Sequence, residues 1–409
     1  MGDGIFNADG HTWYAHRKTS ALIFKLNRFK TSVSEVFHDD MDQAIEWIRN
    51  QNNKSFDFHA LMHRYTLESI ARIAFGIQFD IIRKERVEFA EDFDYCTWAV
   101  NNSMVDPLWW FKRYFTVSGW KYFQALGRIN TFTQKIIQER KANIAANGGQ
   151  VTADMNDLLS LYLAHDTVVA TTTSAEKGAG YQRYDDTYLS PTDATLRDVI
   201  LNMIIAGRDT TAQALSWAFY RMCLHDDIQS KLRTEIFTIL QQTGEYTRLR
   251  ERQGLGTVQY DTLQQLKYVE AFIFEVLRLH PSVPKEGKCV FQDDILPDGT
   301  EVKKGDVVSF LPWCMGRDAD LWGEDCLEFK PERFLHQTSK PSPFVFIAFQ
   351  AGPRTCLGQN FALLEMKTVL VRLLLMFEFS FAQDPHTIRY ENSLTLPMRG
   401  GMQLVAKEI

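Results

Sequence analysis

The chain is poor in cysteine, and its cysteines are not paired in sequence. They stand at Cys96, Cys223, Cys289, Cys314, Cys326 and Cys356, with no C-x-x-C spacing. In 409 residues such scatter reads as reduced thiols, not a disulfide framework, and points to a cytosol-facing protein. Apolar runs long enough to cross a bilayer are also missing. The best stretch, FALLEMKTVLVRLLLMFEFSF, is interrupted by Glu365, Lys367, Arg372 and Glu378, and no secretory signal is found. There is no basic excess: 45 Lys and Arg face 51 Asp and Glu, a formal charge of -6, which excludes nucleic-acid binding by bulk charge. A Walker loop, a G-x-S-x-G elbow and a dinucleotide fingerprint are absent. His59 and His63 share a helix face, but HALMH lacks the glutamate of a zinc protease, so both read as ordinary helix histidines.

What is present suits a large core. Hydrophobic residues make up 45% of the chain, enough for one big domain or two ordinary ones. The 29 phenylalanines fit a protein that encloses something large and apolar, and fit an ordinary core equally well. Helical spacing dominates. Ser190 can cap, Pro191 suits a first helical position, and Asp193 places an acid in the first turn. Leu196, Val199, Ile200, Met203, Ile204 and Gly207 then recur at intervals of three and four, predicting a long buried helix over 190–222. A second buried helix is predicted from Phe361 to Phe377, passing into a strand at FEFSF. ILPDGTEVKKGDVVSF reads as a hairpin turning at Asp298-Gly299, and 165–189 and Gly244 to Gly256 read as surface loops. The class is mainly α with small β-sheets.

Four short patterns carry chemistry. FQAGPRTCLGQNF places Cys356 in a turn where Gly352 and Gly358 allow close backbone approach and Pro353 stiffens the chain. A helix beginning near Leu357 would aim its N-terminus at the sulfur and favour a thiolate, with Arg354 as a nearby cation. AGRDTT puts Gly207, Asp209 and two threonines inside a buried apolar helix, which fits a kink or a polar function. Glu275 and Arg278 form E-x-x-R on one helical face, and PERF follows at Pro331 to Phe334. Trp13 and Arg17 form W-x-x-x-R.

Together, F-x-x-G-x-R-x-C-x-G, AGRDTT, E-x-x-R with PERF, and W-x-x-x-R resemble the cytochrome P450 family over almost the whole chain. GDGIFNADG, ILPDGT and WGEDCLEFKPERF resemble the group that hydroxylates long-chain fatty acids and alkanes at or near the terminal carbon. The resemblance implies haem b with Cys356 as its axial iron ligand, a thiolate that favours O–O cleavage. It implies that Phe349, Gly352 and Gly358 shape the cradle, and that Arg354, Trp13, Arg17 and Lys288 meet the haem propionates. Ala206 and Gly207 would make room for dioxygen, with Thr210 bonding it and Asp209 feeding protons. Glu275, Arg278 and Arg333 would form a buried ion network behind the cysteine loop. Ile205, Ala206, Val283, Pro284, Leu394 and Leu396 would line the substrate channel. Electrons would come from NADPH through a partner reductase, docking on a basic face that includes Lys18, Lys25, Arg28 and Lys30. The resemblance also implies a monomer on the cytosolic face of the endoplasmic reticulum membrane. Its members carry an anchor helix and a first sheet region ahead of GDGIFN, which this chain is expected to lack. Rival readings are a haem-binding remnant without turnover, and a monooxygenase of another lipophilic substrate.

Overall fold

The computed structural model describes residues 2–21, 24, 29–103, 105–148, 157–163, 192–335, 341–391 and 393–409. The loop expected over 165–189 lies outside them, as do Ser190, Pro191, Lys25 and Arg28. The chain divides into two compact units, Met1–Trp47 with His63–Arg208, and Ile48–Met62 with Asp209–Ile409.

The first unit is helical. Its main elements are α1 (Gly10–Ser20), most of α2 (Ser34–Asn50) and α3 (Phe58–Phe75), then α4 (Ile81–Lys84), α5 (Glu88–Ser103), α6 (Trp109–Phe115), α7 (Val117–Ala146) and α8 (Asp193–Ile204). Phenylalanines pin α5 to α7: Phe89 lies 4.7 Å from Phe132 and 5.5 Å from Phe79, ring centre to ring centre. The helix predicted from 190 is described from Asp193. Its cap is Thr192, not Ser190, with the Thr192 hydroxyl accepting from Thr195 N at 3.1 Å. Either residue type satisfies an open N–H of the first turn, so the pattern named the motif but not the position.

The second unit carries α9 (Thr210–Leu224), α10 (Asp226–Gln242), α11 (Glu245–Glu251), α12 (Tyr260–Leu263), α13 (Lys267–Leu279), α14 (Pro312–Met315), α15 (Ala319–Trp322) and α16 (Gln359–Met376). Gly244 to Gly256, expected as a surface loop, holds α11 instead, and the helix buries Leu249 and Glu245. The second predicted helix is α16, and FEFSF is a strand, β6 (Phe377–Phe381), paired antiparallel to β7 (Gln403–Glu408), which also receives β1 (Phe56–Asp57). Two of the charges that interrupt the apolar run of α16, Lys367 and Arg372, have partners on neighbouring segments. Lys367 Nζ reaches Glu270 at 2.6 Å, and Arg372 donates to the carbonyls of Gly254 and Gly256. Burying them unpaired would be very costly, so the charges mark where α16 meets α13 and the chain around Gly254. Among the described residues no helix is long and apolar enough to cross a membrane.

The expected hairpin is shorter than its sequence. β3 (Asp294–Ile295) and β4 (Glu301–Val302) pair around Gly299, whose φ of +88° suits glycine. Val307–Phe310 (β5) instead joins β2 (Glu286–Cys289), because Gly305, at φ +96°, turns the chain a second time.

Candidate functional site

Cys356 sits in a loop closed by its own backbone. Gln350 and Gly352 both take positive φ, +65° and +69°, and reverse the chain. Cys356 N–H then donates to Phe349 O at 2.8 Å, while Thr355 donates to Gly352 O from its amide at 3.1 Å and its hydroxyl at 2.6 Å. Gly358 precedes α16, and a Cβ at that position would lie 3.8 Å from the Cys356 sulfur. The sulfur is therefore beside the N-terminus of an 18-residue helix, where open N–H groups favour negative charge. Cys356 is exposed and outside any disulfide, and Arg354 is half-buried two residues earlier. By contrast, burial pushes the thiols of Cys96 and Cys223 up to about 11 and about 12, so both stay protonated. An accessible sulfur, a helix N-terminus and an adjacent cation fit an iron ligand with acidic groups at its rim.

The E-x-x-R pair is buried, not a surface pair. Arg278 uses all five of its N–H groups. It grips Glu275 through Nε and Nη2, both at 2.7 Å, and donates to the carbonyls of Gly316, Cys326 at 2.6 Å and Glu328 at 2.9 Å. Glu275 also accepts from Lys330 N at 2.7 Å and lies 3.6 Å from Arg333 Nε. Arg333 completes the knot on Asp325 at 3.0 Å, and that contact, with Lys330, holds the Asp325 carboxyl down at about 2. Because the folded value is depressed, that pairing is intact above the ordinary carboxylate range and is lost only as pH falls through about 2. Next to Glu275, the Phe274 ring lies 5.4 Å from Phe346, and Phe334 of PERF lies 5.4 Å from the same ring. This aromatic cluster joins the ion network to the chain that leads into the cysteine loop.

AGRDTT forms a wide turn. Between α8 and α9 the backbone runs as a π-helix over Ile205–Asp209. A Cβ on Gly207 would come within 2.7 Å of the Ile70 side chain, so the missing side chain lets α3 approach. Asp209 is buried and Thr210 half-buried. The two stretches expected to line the channel are both tied to α9. Ser282, just before Val283 and Pro284, donates to Thr210 O at 2.7 Å. Gln213 bonds Thr395 at 2.9 Å and Leu396 N at 2.8 Å, and Trp217 Nε1 donates to Leu396 O at 2.9 Å. Leu396 is buried and Leu394 exposed. In the first unit, Ile205 and Ala206 are half-buried, the Arg17 guanidinium lies 5.8 Å from the Trp13 ring, and the buried His16 of the same helix meets Tyr162 at 3.3 Å. Lys288 is exposed on β2, 3.5 Å from Glu286. His59 bonds Ser216 at 2.8 Å, and among the described residues no cluster of metal-ligating side chains is present.

Several participants were not legible in sequence. His280 stacks on Trp217 at 4.5 Å and is fully buried, which holds it neutral. Arg221 donates to its Nε2 at 2.8 Å, so Nδ1 carries the proton and donates to Tyr390 at 2.8 Å. Only the dipeptide His280-Pro281 after the E-x-x-R helix hints at this cluster.

Comparison with known proteins agrees with this geometry. A family model described as cytochrome P450 matches residues 1–404. The chain is 32% identical to cytochrome P450 704B1 of Arabidopsis thaliana, over 99% of this chain and 79% of that protein. It is 36% identical to cytochrome P450 704C1 of Pinus taeda, over 97% of this chain and 76% of that protein, and 28% identical to cytochrome P450 94A1 of Vicia sativa, over 100% and 75%. The solved cytochrome P450DA heme domain shares the fold, with a TM-score of 0.80 at 21% identity, covering 100% of this chain and 80% of that one. With a cysteine loop, an ion network and a helical fold that agree with these matches, the chain belongs to the cytochrome P450 family of monooxygenases.

Proposed function

We propose that this chain is a haem-thiolate monooxygenase that hydroxylates long-chain fatty acids or alkanes at or near the terminal carbon. The observation that carries the haem-thiolate reading is the exposed Cys356 sulfur beside the N-terminus of α16, inside a loop closed by Phe349 and Gly352. Cys356 would ligate the iron, Phe349, Gly352 and Gly358 would shape the cradle, and Arg354, Trp13, Arg17 and Lys288 would meet the propionates. The bound haem supplies oxygen activation and insertion into a C–H bond. Electrons come from NADPH through a reductase. Asp209 and Thr210 hold and pass the protons the reaction consumes: a buried carboxyl ends the widened turn and a half-buried hydroxyl follows it in sequence. Thr210→Ala is expected to uncouple the enzyme. NADPH consumption persists, hydroxylated product falls, and the difference appears as peroxide. Unchanged product per NADPH would remove Thr210 from proton handling.

The substrate class follows from apolar area. A saturated chain offers about 0.8 kcal/mol per buried methylene and no other handle. The apolar side chains of Val283, Pro284, Leu394 and Leu396 suit such a chain, on segments pinned to α9. Purified enzyme with a reductase should oxidise long-chain fatty acids in a panel that includes alkanes and sterols. Turnover of sterols alone would overturn the fatty-acyl reading.

Membrane association has support in the first unit. Every residue of α6, WWFKRYF, is at least partly exposed, with Trp110 at 53% and Phe115 at 68%. Trp98 and Trp120 on the flanking helices are exposed as well, and Tyr114 packs 5.6 Å from Phe123. Lys112, Arg113 and Lys121 are interleaved with these rings. Aromatic residues with flanking cations suit the headgroup boundary of a bilayer. A Trp110→Glu, Phe115→Glu double variant should lower sedimentation with anionic vesicles roughly tenfold or more. Equal sedimentation would show that this face does not carry the contact.

A further inference from the structure

Hydroxyl donors meet the backbone on either side of Asp209, the last residue of the wide turn at Ile205–Asp209: one at Arg208 within the turn and one at Thr210, the first residue of α9. Thr66 of α3 is fully buried, and its Oγ1 donates to Arg208 O at 2.9 Å, a better contact than its own-helix alternative, His63 O at 3.5 Å. Ser282 Oγ donates to Thr210 O at 2.7 Å. Each contact lies within its own unit, Thr66 with Arg208 and Ser282 with Thr210. Arg208 is fixed at its other end too: its buried guanidinium pairs with Asp94 at 2.6 Å and lies 5.7 Å from the Phe93 ring.

We infer that Thr66 and Ser282 are positioning residues, whose hydroxyls hold the π-turn open and so set the placement of Asp209 and Thr210. A π-turn inside an α-helix is rare and needs outside support. A hydroxyl donated to a helix carbonyl is one of the few devices that keep a helix bent. Relaxing the turn by one residue would rotate the side chains beyond it by about 100°, the angle per residue at 3.6 residues per turn. Within the second unit, Ser282 also ties Thr210 to the segment that holds Val283 and Pro284, so a proton-handling residue and two channel-lining residues share a support. The inference rests on the proposed proton-handling roles of Asp209 and Thr210.

The test compares Thr66→Val, Thr66→Ser and Ser282→Ala in the full chain by hydrogen exchange of peptides spanning 203–213. Peroxide per product is measured on the same preparations. Thr66→Val and Ser282→Ala should speed exchange across the turn roughly tenfold or more, the scale of one lost buried hydrogen bond. Thr66→Ser, which keeps the hydroxyl, should restore slow exchange. Both disruptive variants should also raise peroxide per product, and Thr66→Ser should not. Wild-type exchange in both Thr66→Val and Ser282→Ala would overturn the inference, as would equal acceleration in Thr66→Ser. Fast exchange with wild-type coupling would keep the anchoring and reject the roles of Asp209 and Thr210. If Thr66→Val fails to fold, Ser282→Ala, altered at a half-buried site, carries the test alone.

Discussion

Cys356→Ser is expected to abolish the thiolate-type Soret band of the reduced, carbon monoxide-treated protein and to reduce product formation to background. The fold should be untouched. The side chain is exposed, serine is nearly isosteric, and the bond that closes the loop uses the Cys356 amide, which the change leaves in place. Surface changes of this kind shift stability by only about 0.5 kcal/mol. The loss is chemical. A cysteine thiol has an ordinary pKa near 8.5 and is brought lower at a helix N-terminus, whereas a serine hydroxyl stays protonated and binds iron poorly. The controls are Cys289→Ser and Cys314→Ser, also exposed thiols, which should keep both band and activity. Burial cannot make the distinction, since all three cysteines are exposed. Placement can: Cys289 lies on β2 and Cys314 in the four-residue α14, while Cys356 lies ahead of α16. A thiolate band that survives Cys356→Ser, or disappears in either control, would move the site elsewhere.

The cysteine loop was legible because its residues are neighbours in sequence and each has a backbone reason. α16, β6 and the turn at Gly299 were legible for the same reason: periodicity and φ preferences act locally. The ion network was half legible. Glu275 and Arg278 announce themselves at a spacing of three, but only the resemblance tied them to Arg333, and nothing local shows that Asp325 takes most of the Arg333 guanidinium. The widened turn within AGRDTT was one of two readings that its composition allowed, and the structure adds that Gly207 accommodates Ile70. Thr66 and Ser282 gave no signal, since a lone hydroxyl in a helix or loop has no period. The aromatics illustrate a limit of composition. Abundant Phe suggested a core or an enclosed ligand, yet much of the 98–123 segment turns its aromatic rings outward. Composition counts apolar area without saying which side of the molecule it covers.

Arg278→Lys, which preserves the charge, is expected to damage the protein almost as much as Arg278→Ala. If the network were held by Coulomb attraction, lysine would serve. The geometry says otherwise. The guanidinium meets two Glu275 oxygens and the carbonyls of Gly316, Cys326 and Glu328, one acceptor for each N–H. Lysine has three donors on a tetrahedral nitrogen and cannot reproduce the planar fork, so at least two buried acceptors go unmet. Breaking a buried ion pair costs roughly 3–5 kcal/mol, and orphaned acceptors cost about 1–3 kcal/mol each. The loss should therefore approach several kcal/mol in either variant. Phe274 beside Glu275 packs on Phe346, so the disturbance should reach the cysteine loop and appear as lost haem occupancy. Urea unfolding followed by far-UV circular dichroism gives the stability change, and the ratio of Soret to protein absorbance gives the occupancy. Arg278→Lys within about 1 kcal/mol of the parent protein, at full haem occupancy, would show that charge rather than donor geometry holds the network.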